Sequence, residues 1–376
     1  MSDDIPLEIQ AEIFRRLPVR SLLRIRSVSK GCKSLIDSQQ FVAGYNVSPT
    51  QPHRLLILHD SPVGTRETHV SFLDDETFAQ QDFTMTVPVA VKRLKESRVV
   101  GSSKGLLCLY GYSRFKSVGN IIVLWNLSIR KSVGIPVPGV LSPGLEVVLG
   151  FGVCPITSDP TIVKMTQGTL LFEKTSMASV PSVIEVFTSS SGSWKNFSSN
   201  LPNNSIKIRW PQVVIDRFIY WCASGNIVAA DGGVSRKNRI LSFDMTNQEF
   251  GVVDLPESLL YQSDLNMFIS KVRESLAVLE YGPNIMKRNC TVWVLDHDVP
   301  NLFTKLFTIN TPYSSINTLA FTKSGEAIVE AKDYYKEAAA LVVYQPCSGH
   351  VNHIGHNANS GLFFVGSYME TLLLLD

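Results

Sequence analysis

Two groups of residues have types and spacings that could do chemistry. Gly101-Ser102-Ser103-Lys104-Gly105 fits the G-x-S-x-G pattern, which in hydrolases lifts a nucleophilic serine onto a strained strand-to-helix turn. That chemistry needs a helix after the serine. The next residues, Leu106-Leu107-Cys108-Leu109-Tyr110-Gly111, form a β-type apolar run ended by glycine, so the pattern reads as a turn. Cys347, His350, His353 and His356 recur at every third position and are side chains a zinc ion takes. Gly349 and Gly355 break any helix through them, and on a strand a step of three sends successive side chains to opposite faces. Solvated or structural histidines are expected there, and no metal. Asp74-Asp75-Glu76 and Ser235-Arg236-Lys237-Asn238-Arg239 are short charge clusters that read as solvated loops. No phosphate-cradling loop, dinucleotide fingerprint or convincing carboxylate pair occurs, so neither a catalytic residue nor a cofactor is expected. Trp125, Trp194, Trp210, Trp221 and Trp293 are expected to pack between layers, with one or two at loops serving as recognition anchors.

Charge excludes further classes. Thirty-five Lys+Arg against 33 Asp+Glu gives +2 over 376 residues, so no global field draws the chain to nucleic acid or an anionic membrane. Six cysteines lie far apart without a C-x-x-C pair, which fits a reducing compartment. Residues Met1-Ser2-Asp3-Asp4 lack the basic and apolar regions of a secretory signal, and a cytoplasmic or nuclear location is expected. The longest apolar stretch, Val133 to Ile156, is cut by Pro136, Pro138, Pro143 and Pro155, so no membrane segment is expected.

Two kinds of element must position whatever the chain does. In the first 40 residues Ile5, Ile9, Ile13 and Leu17 recur at a four-residue step, the mark of an amphipathic helix. Asp3 or Asp4 could cap it, Pro6 suits its first turn and Pro18 closes it. Leu22, Leu23 and Ile25 predict a short second helix, and Val28, Cys32, Leu35 and Ile36 a third. Three such helices are too small to enclose their apolar surface unaided. Two covers are open: the rest of this chain, or an external partner.

From about His53 the texture changes to short apolar runs separated by Gly, Ser, Asn, Asp and Pro, which predicts strands and turns. Apolar triplets ending near a polar turn recur around Trp125, Phe187, Phe243, Val294 and Tyr344, at intervals of 62, 56, 51 and 50 residues. That approaches the blade length of a kelch-type propeller. Hairpin turns upstream, at Ser103-Lys104-Gly105, Asp216-Arg217 and Lys323-Ser324-Gly325, make four strands per repeat. A strand from His53 to His59 and one near Leu362 to Val365 or Leu372 to Leu375 could close the ring.

The run from Ile5-Pro6-Leu7-Glu8-Ile9 through Ile13-Phe14-Arg15-Arg16-Leu17-Pro18 to Arg24-Ile25-Arg26-Ser27-Val28-Ser29-Lys30 resembles the F-box. Gly105-Leu106-Leu107-Cys108-Leu109, Leu124-Trp125-Asn126, Gly150-Phe151-Gly152, Tyr220-Trp221 and Ile240-Leu241-Ser242-Phe243-Asp244 look like the associated interaction domain of plant F-box proteins. The resemblance implies a mainly β protein with a small all-α N-terminal domain: a three-helix F-box over residues 1–45, a linker at 46–52, and a kelch-like β-propeller of six or seven blades over 53–376. It further implies a substrate-recognition subunit of a Skp–cullin–F-box E3 ubiquitin ligase, itself non-catalytic. Its partners would be the Skp adaptor, through it a cullin scaffold, and an unidentified protein substrate. Carried over by position, Pro6, Ile9, Ile13, Leu17, Pro18, Leu22, Leu23 and Val28 should lie at or beneath the adaptor interface. The family usually has Cys where Ser29 stands, Trp where Cys32 stands, Pro where Leu127 stands, and a tyrosine-and-aspartate step where Val153-Cys154 stand. The alternative class is a β-propeller hydrolase or oxidase with an accessory helical cap, for which Ser103 and the Cys347 group would be the candidates.

Overall fold

The computed structural model describes residues 5–45, 54–60, 68–74, 80–82, 87–113, 119–139, 145–168, 183–198, 206–228, 234–263, 266–282, 289–299 and 301–374. The head starts with α1 (Leu7–Arg15), entered through Pro6, followed by α2 (Val19–Arg26), entered through Pro18, and α3 (Lys30–Ile36). Ser29 caps α3, its side chain accepting a hydrogen bond from the Cys32 N–H at 3.1 Å. The three-helix expectation is corrected by α4 (Gln39–Tyr45). Ser38 Oγ accepts from the Phe41 N–H at 3.2 Å and so starts this helix, and Phe41 and Tyr45, four apart, stack at 6.3 Å between ring centroids. Val28, read as the start of the third helix, instead lies in the turn before it and is 76% exposed. Asp3 and Asp4, read as caps, lie outside the described residues, as does the linker expected at 46–52.

The β body begins with β1 (Arg54–Asp60), β2 (Thr68–Asp74) and β3 (Gln80–Asp82). Five sheets then take four consecutive strands each. They are β4 (Leu94–Ser103) to β7 (Lys131–Pro136), β8 (Leu145–Val153) to β11 (Ser193–Phe197), and β12 (Ile206–Ile215) to β15 (Glu249–Val253). After them come β16 (Met267–Val272) to β19 (Phe303–Asn310) and β20 (Ser315–Phe321) to β23 (Val351–Asn359). A sixth sheet is composite: the last strand, β24 (Phe364–Tyr368), pairs antiparallel with β1, and β2 and β3 follow outward. This is the expected ring closure, made by the first of the two C-terminal candidates. A seventh sheet has no counterpart among the described residues.

The innermost strands β4, β8, β12, β16, β20 and β24 pack side by side in a closed ring, the arrangement of a β-propeller. Apolar clusters fill the space between each pair of neighbouring sheets. The five sequence markers all fall on the third strand from the axis of their sheets, β6 (Asn120–Asn126), β10 (Val183–Thr188), β14 (Val234–Asp244), β18 (Asn289–Leu295) and β22 (Ala338–Tyr344). Their periodicity is therefore structural equivalence. Trp221 shows how tightly sheets approach: it is fully buried, its Nε1 donates to the Leu149 carbonyl at 3.1 Å, and a Cβ on Gly150 would fall 2.1 Å from its ring. Glycine at 150 is what lets the indole approach the neighbouring sheet this closely.

Candidate functional site

The head has two apolar faces. Its inner core joins Ala11, Phe14, Val19, Leu22, Ile36, Phe41 and Tyr45 with Leu372 from the far end of the chain, and Ile129 packs against it from the turn after β6. Three of the four residues of the stripe read from the sequence, Ile5, Ile9 and Ile13, face the other way, while Leu17 packs against the inner core. Leu7 is 62%, Ile9 53% and Ile13 45% exposed, and Ile5 is also exposed. So α1 turns Ala11 and Phe14 inward and presents its isoleucines to solvent, the reverse of what the pattern alone suggests for an isolated helix. Arg26 holds the far side of the head, forking onto the Asp37 carboxylate at 2.5 and 2.8 Å and tying the end of α2 to the end of α3.

The inner face is closed by the C-terminal tail. Glu370 Oε2 accepts from the Val19 N–H at 2.7 Å, at the start of α2, where Pro18 provides no side-chain cap. A carboxylate at the positive end of a helix is stabilising. The tail is gripped by Asn126, which is completely buried and uses every valence of its amide. Nδ2 donates to the carbonyls of Thr371 at 3.1 Å and Leu373 at 2.7 Å, while Oδ1 accepts from the Ser128 N–H at 2.8 Å and the Ile129 N–H at 3.2 Å. Ser128 Oγ accepts from the Thr371 N–H at 3.1 Å and bonds the Tyr368 hydroxyl at 2.9 Å. Gly105 lies against the same tail: its φ is +78°, and a Cβ there would fall 2.3 Å from the Met369 carbonyl oxygen. Burial, then the Glu370 and Tyr368 charges, push the Tyr45 phenol far above its ordinary range, and its hydroxyl donates to the Leu17 carbonyl at 3.0 Å.

Of the eight residues carried over by resemblance, Pro6, Ile9, Ile13, Pro18 and Val28 are exposed, Leu17 and Leu23 half-buried, and Leu22 fully buried in the head core. Of the two expected covers, the chain's own tail closes the inner face, while the outer face is left open. Sequence reasoning missed Glu370, Leu372 and the tail-binding role of Asn126. Asn126 was visible as the polar end of the first marker and within the family-like Leu124-Trp125-Asn126, neither of which points to the tail.

Neither chemistry-bearing group is assembled as the sequence pattern would require. Ser103 ends β4 without a following helix, and its Oγ accepts from the Val153 N–H at 3.0 Å, joining two sheets. His350 lies in the turn before β23, exposed His353 bonds the Tyr313 hydroxyl at 2.9 Å, and buried His356 packs edge-on against His59. Cys347 is exposed in the turn, and these four are not brought together as a ligand set among the described residues. The basic cluster Ser235 to Arg239, expected as a loop, lies within β14, where Asn238 is buried and Nδ2 donates to the carbonyls of Leu259 and Gln262. Of the acidic cluster only Asp74, the end of β2, falls in the described residues. Among the described residues no helix is long and apolar enough to cross a membrane.

A closed ring of sheets bearing a small helical head makes this a β-propeller protein with an appended helical domain. The chain belongs to the F-box proteins with an F-box associated beta propeller domain: that domain's family model matches residues 93–373, and the F-box domain model matches residues 2–43. It is similar to F-box protein CPR1 of Arabidopsis thaliana, 25% identical over 343 residues that cover 86% of this chain and 79% of the relative. It is also similar to F-box protein At2g21930 of the same plant, 23% identical with 91% and 83% of the two chains covered. Among solved structures, TolB from Acinetobacter baumannii superposes with a TM-score of 0.43 at 13% identity, over 90% of this chain and 72% of that one. Membership of the F-box family supports a general substrate-recognition role in a Skp–cullin–F-box ubiquitin ligase.

Proposed function

We propose that this chain is a substrate-recognition subunit of a Skp–cullin–F-box ligase in which the head binds the Skp adaptor and the propeller binds the target protein. The observation that carries this reading is the outward stripe of α1, which stays open although the tail has filled the head's inner core. Pro6, Ile9, Ile13, Pro18 and Val28 would meet the adaptor directly, Leu17 and Leu23 at its edge, and Leu22 would support them from beneath. Fully burying one such aliphatic side chain is worth about 1.5–3 kcal/mol, so covering Leu7, Ile9, Ile13 and Val28 supplies on the order of 3–6 kcal/mol before the costs of association.

The chain itself makes and breaks no bond in this reading. A target lysine attacks the ubiquitin thioester on a conjugating enzyme, and the ligase acts by holding the two together at high effective concentration. The cytosol or nucleus is the proposed place of action. Co-purification of the full chain with Skp and cullin subunits tests this. The double change Ile9→Asp, Ile13→Asp should strip both partners from the chain and, both sites being exposed, leave its unfolding midpoint within experimental error. Failure of the unsubstituted chain to retain Skp, or full retention by the double variant, contradicts the reading.

A further inference from the structure

The two ends of the propeller differ. The turns joining first to second and third to fourth strands open at the end that carries the head, since Gly105, Asn126 and Ser128 meet the tail there. Connections from second to third strand, and from one sheet to the next, open at the opposite end. There, between the β19–β20 and β21 (Ala327–Lys332)–β22 connections, lies an open cleft of about 470 Å³ whose walls include Pro312, Tyr313, Asp333, Tyr334, Tyr335 and Lys336.

Tyr334 is 68% and Tyr335 95% exposed, with their rings edge to face and centroids 5.3 Å apart. Tyrosines presented this openly suit binding more than packing, because they offer large contact area and lose little side-chain entropy. Tyr313 completes the wall and is held by its bond to His353. Aromatic faces attract cations, and Asp333 adds a carboxylate at the same place. Lys336 Nζ lies 3.0 Å from Asp333 Oδ2, but this lysine is exposed, and an exposed pair three residues apart is weak enough to be exchanged. The Tyr313 hydroxyl is pushed up first by burial and then by Asp333, with Lys336 opposing, which places the carboxylate's field on the tyrosine of the cleft wall. A guanidinium is planar, stacks on rings and forks onto carboxylates, which an ammonium cannot match.

We propose that this cleft receives an arginine side chain of the target protein, stacked on Tyr334 and Tyr335 and forked onto Asp333. The inference rests on the ligase reading for the identity of the partner, and it places target and adaptor at opposite ends of the ring, where both can be held together. The test is a fluorine NMR titration of the full chain carrying 3-fluorotyrosine, its Tyr334 and Tyr335 signals assigned by Tyr→Phe variants. The probes are N-acetyl-arginine methylamide and the uncharged isostere N-acetyl-citrulline methylamide. The arginine probe should shift both signals saturably, and citrulline substitution or Asp333→Asn should each weaken the response by about tenfold. Equal response to citrulline, indifference to Asp333→Asn, or no saturable shift at these tyrosines overturns the proposal. Because the titration contains no adaptor, failure of Skp co-purification would strike the ligase reading and leave this result standing.

Discussion

At Asn126 one buried amide serves two structures at once. Its oxygen caps the turn after β6 and its nitrogen holds the tail. Asp244 and Asp296 do the first task in other sheets: Asp244 Oδ1 accepts from Thr246 and Asn247, and Asp296 Oδ1 from Asp298 and Val299. An ionised carboxylate has no proton to give, so only the asparagine can do the second. Asn126→Asp should therefore preserve the turn, release the tail and lower stability by about 3 kcal/mol, read from denaturant midpoints, since two donors vanish and a charge is left buried. Tyr45 offers a pH test. Its folded-state phenol is held neutral well beyond its ordinary value of 10.0, so its contribution is complete below about pH 10 and is lost as pH rises further, when only the unfolded chain ionises. Tyr45→Phe loses the bond to the Leu17 carbonyl, about 1 kcal/mol at neutral pH, and loses this alkaline sensitivity too. The stability gap between the two proteins should narrow from pH 9 to pH 11, as followed by urea unfolding across that range.

Among the elements, α1 and the tail divide the work of the head. The tail places Leu372, fully buried, among Phe14, Leu22 and Tyr45, and it caps α2 through Glu370. Leu372→Ala should cost about 2–5 kcal/mol, and the loss should show first as hydrogen exchange in α2 and α4. The legibility of these elements depends on the range of their contacts. The stripe of Ile9 and Ile13 could be read because four-residue spacing is local, and the strand triplets because each repeats one role on the third strand of its sheet. The direction of the stripe could not be read, since which face of α1 turns inward is decided by Phe41, Tyr45 and Leu372. Leu372 stands more than 350 residues from α1, and no local pattern announces it. The fourth helix was obscured by its shortness and by Gly44, though the Phe41–Tyr45 spacing was present. The charged run at Ser235 to Arg239 read as a loop because β14 buries Asn238 within an otherwise polar stretch.

For the whole molecule, the ring and the head form one continuous structure. β24, an innermost strand, closes the propeller by pairing with β1, and the residues after it pack into the head. Consecutive stretches of the C-terminal segment thus fasten the circle and pack against the head's inner face. Under the proposed ligase reading, that arrangement would hold adaptor and target in a fixed geometry, which is what proximity-driven transfer requires. The longest interval between markers, from Trp125 to Phe187, reflects the 14 residues that separate the end of β9 (Pro160–Gly168) from the start of β10. Hydrogen–deuterium exchange of the full chain, alone and with the Skp adaptor, tests the central claim most directly. The account predicts that amides of α1 and of the turn at Val28 gain protection only when the adaptor is added, while Val19, Thr371 and Leu373 are already protected without it. Slow exchange of α1 and the Val28 turn that the adaptor leaves unchanged, or a tail that becomes protected only in the complex, would contradict it.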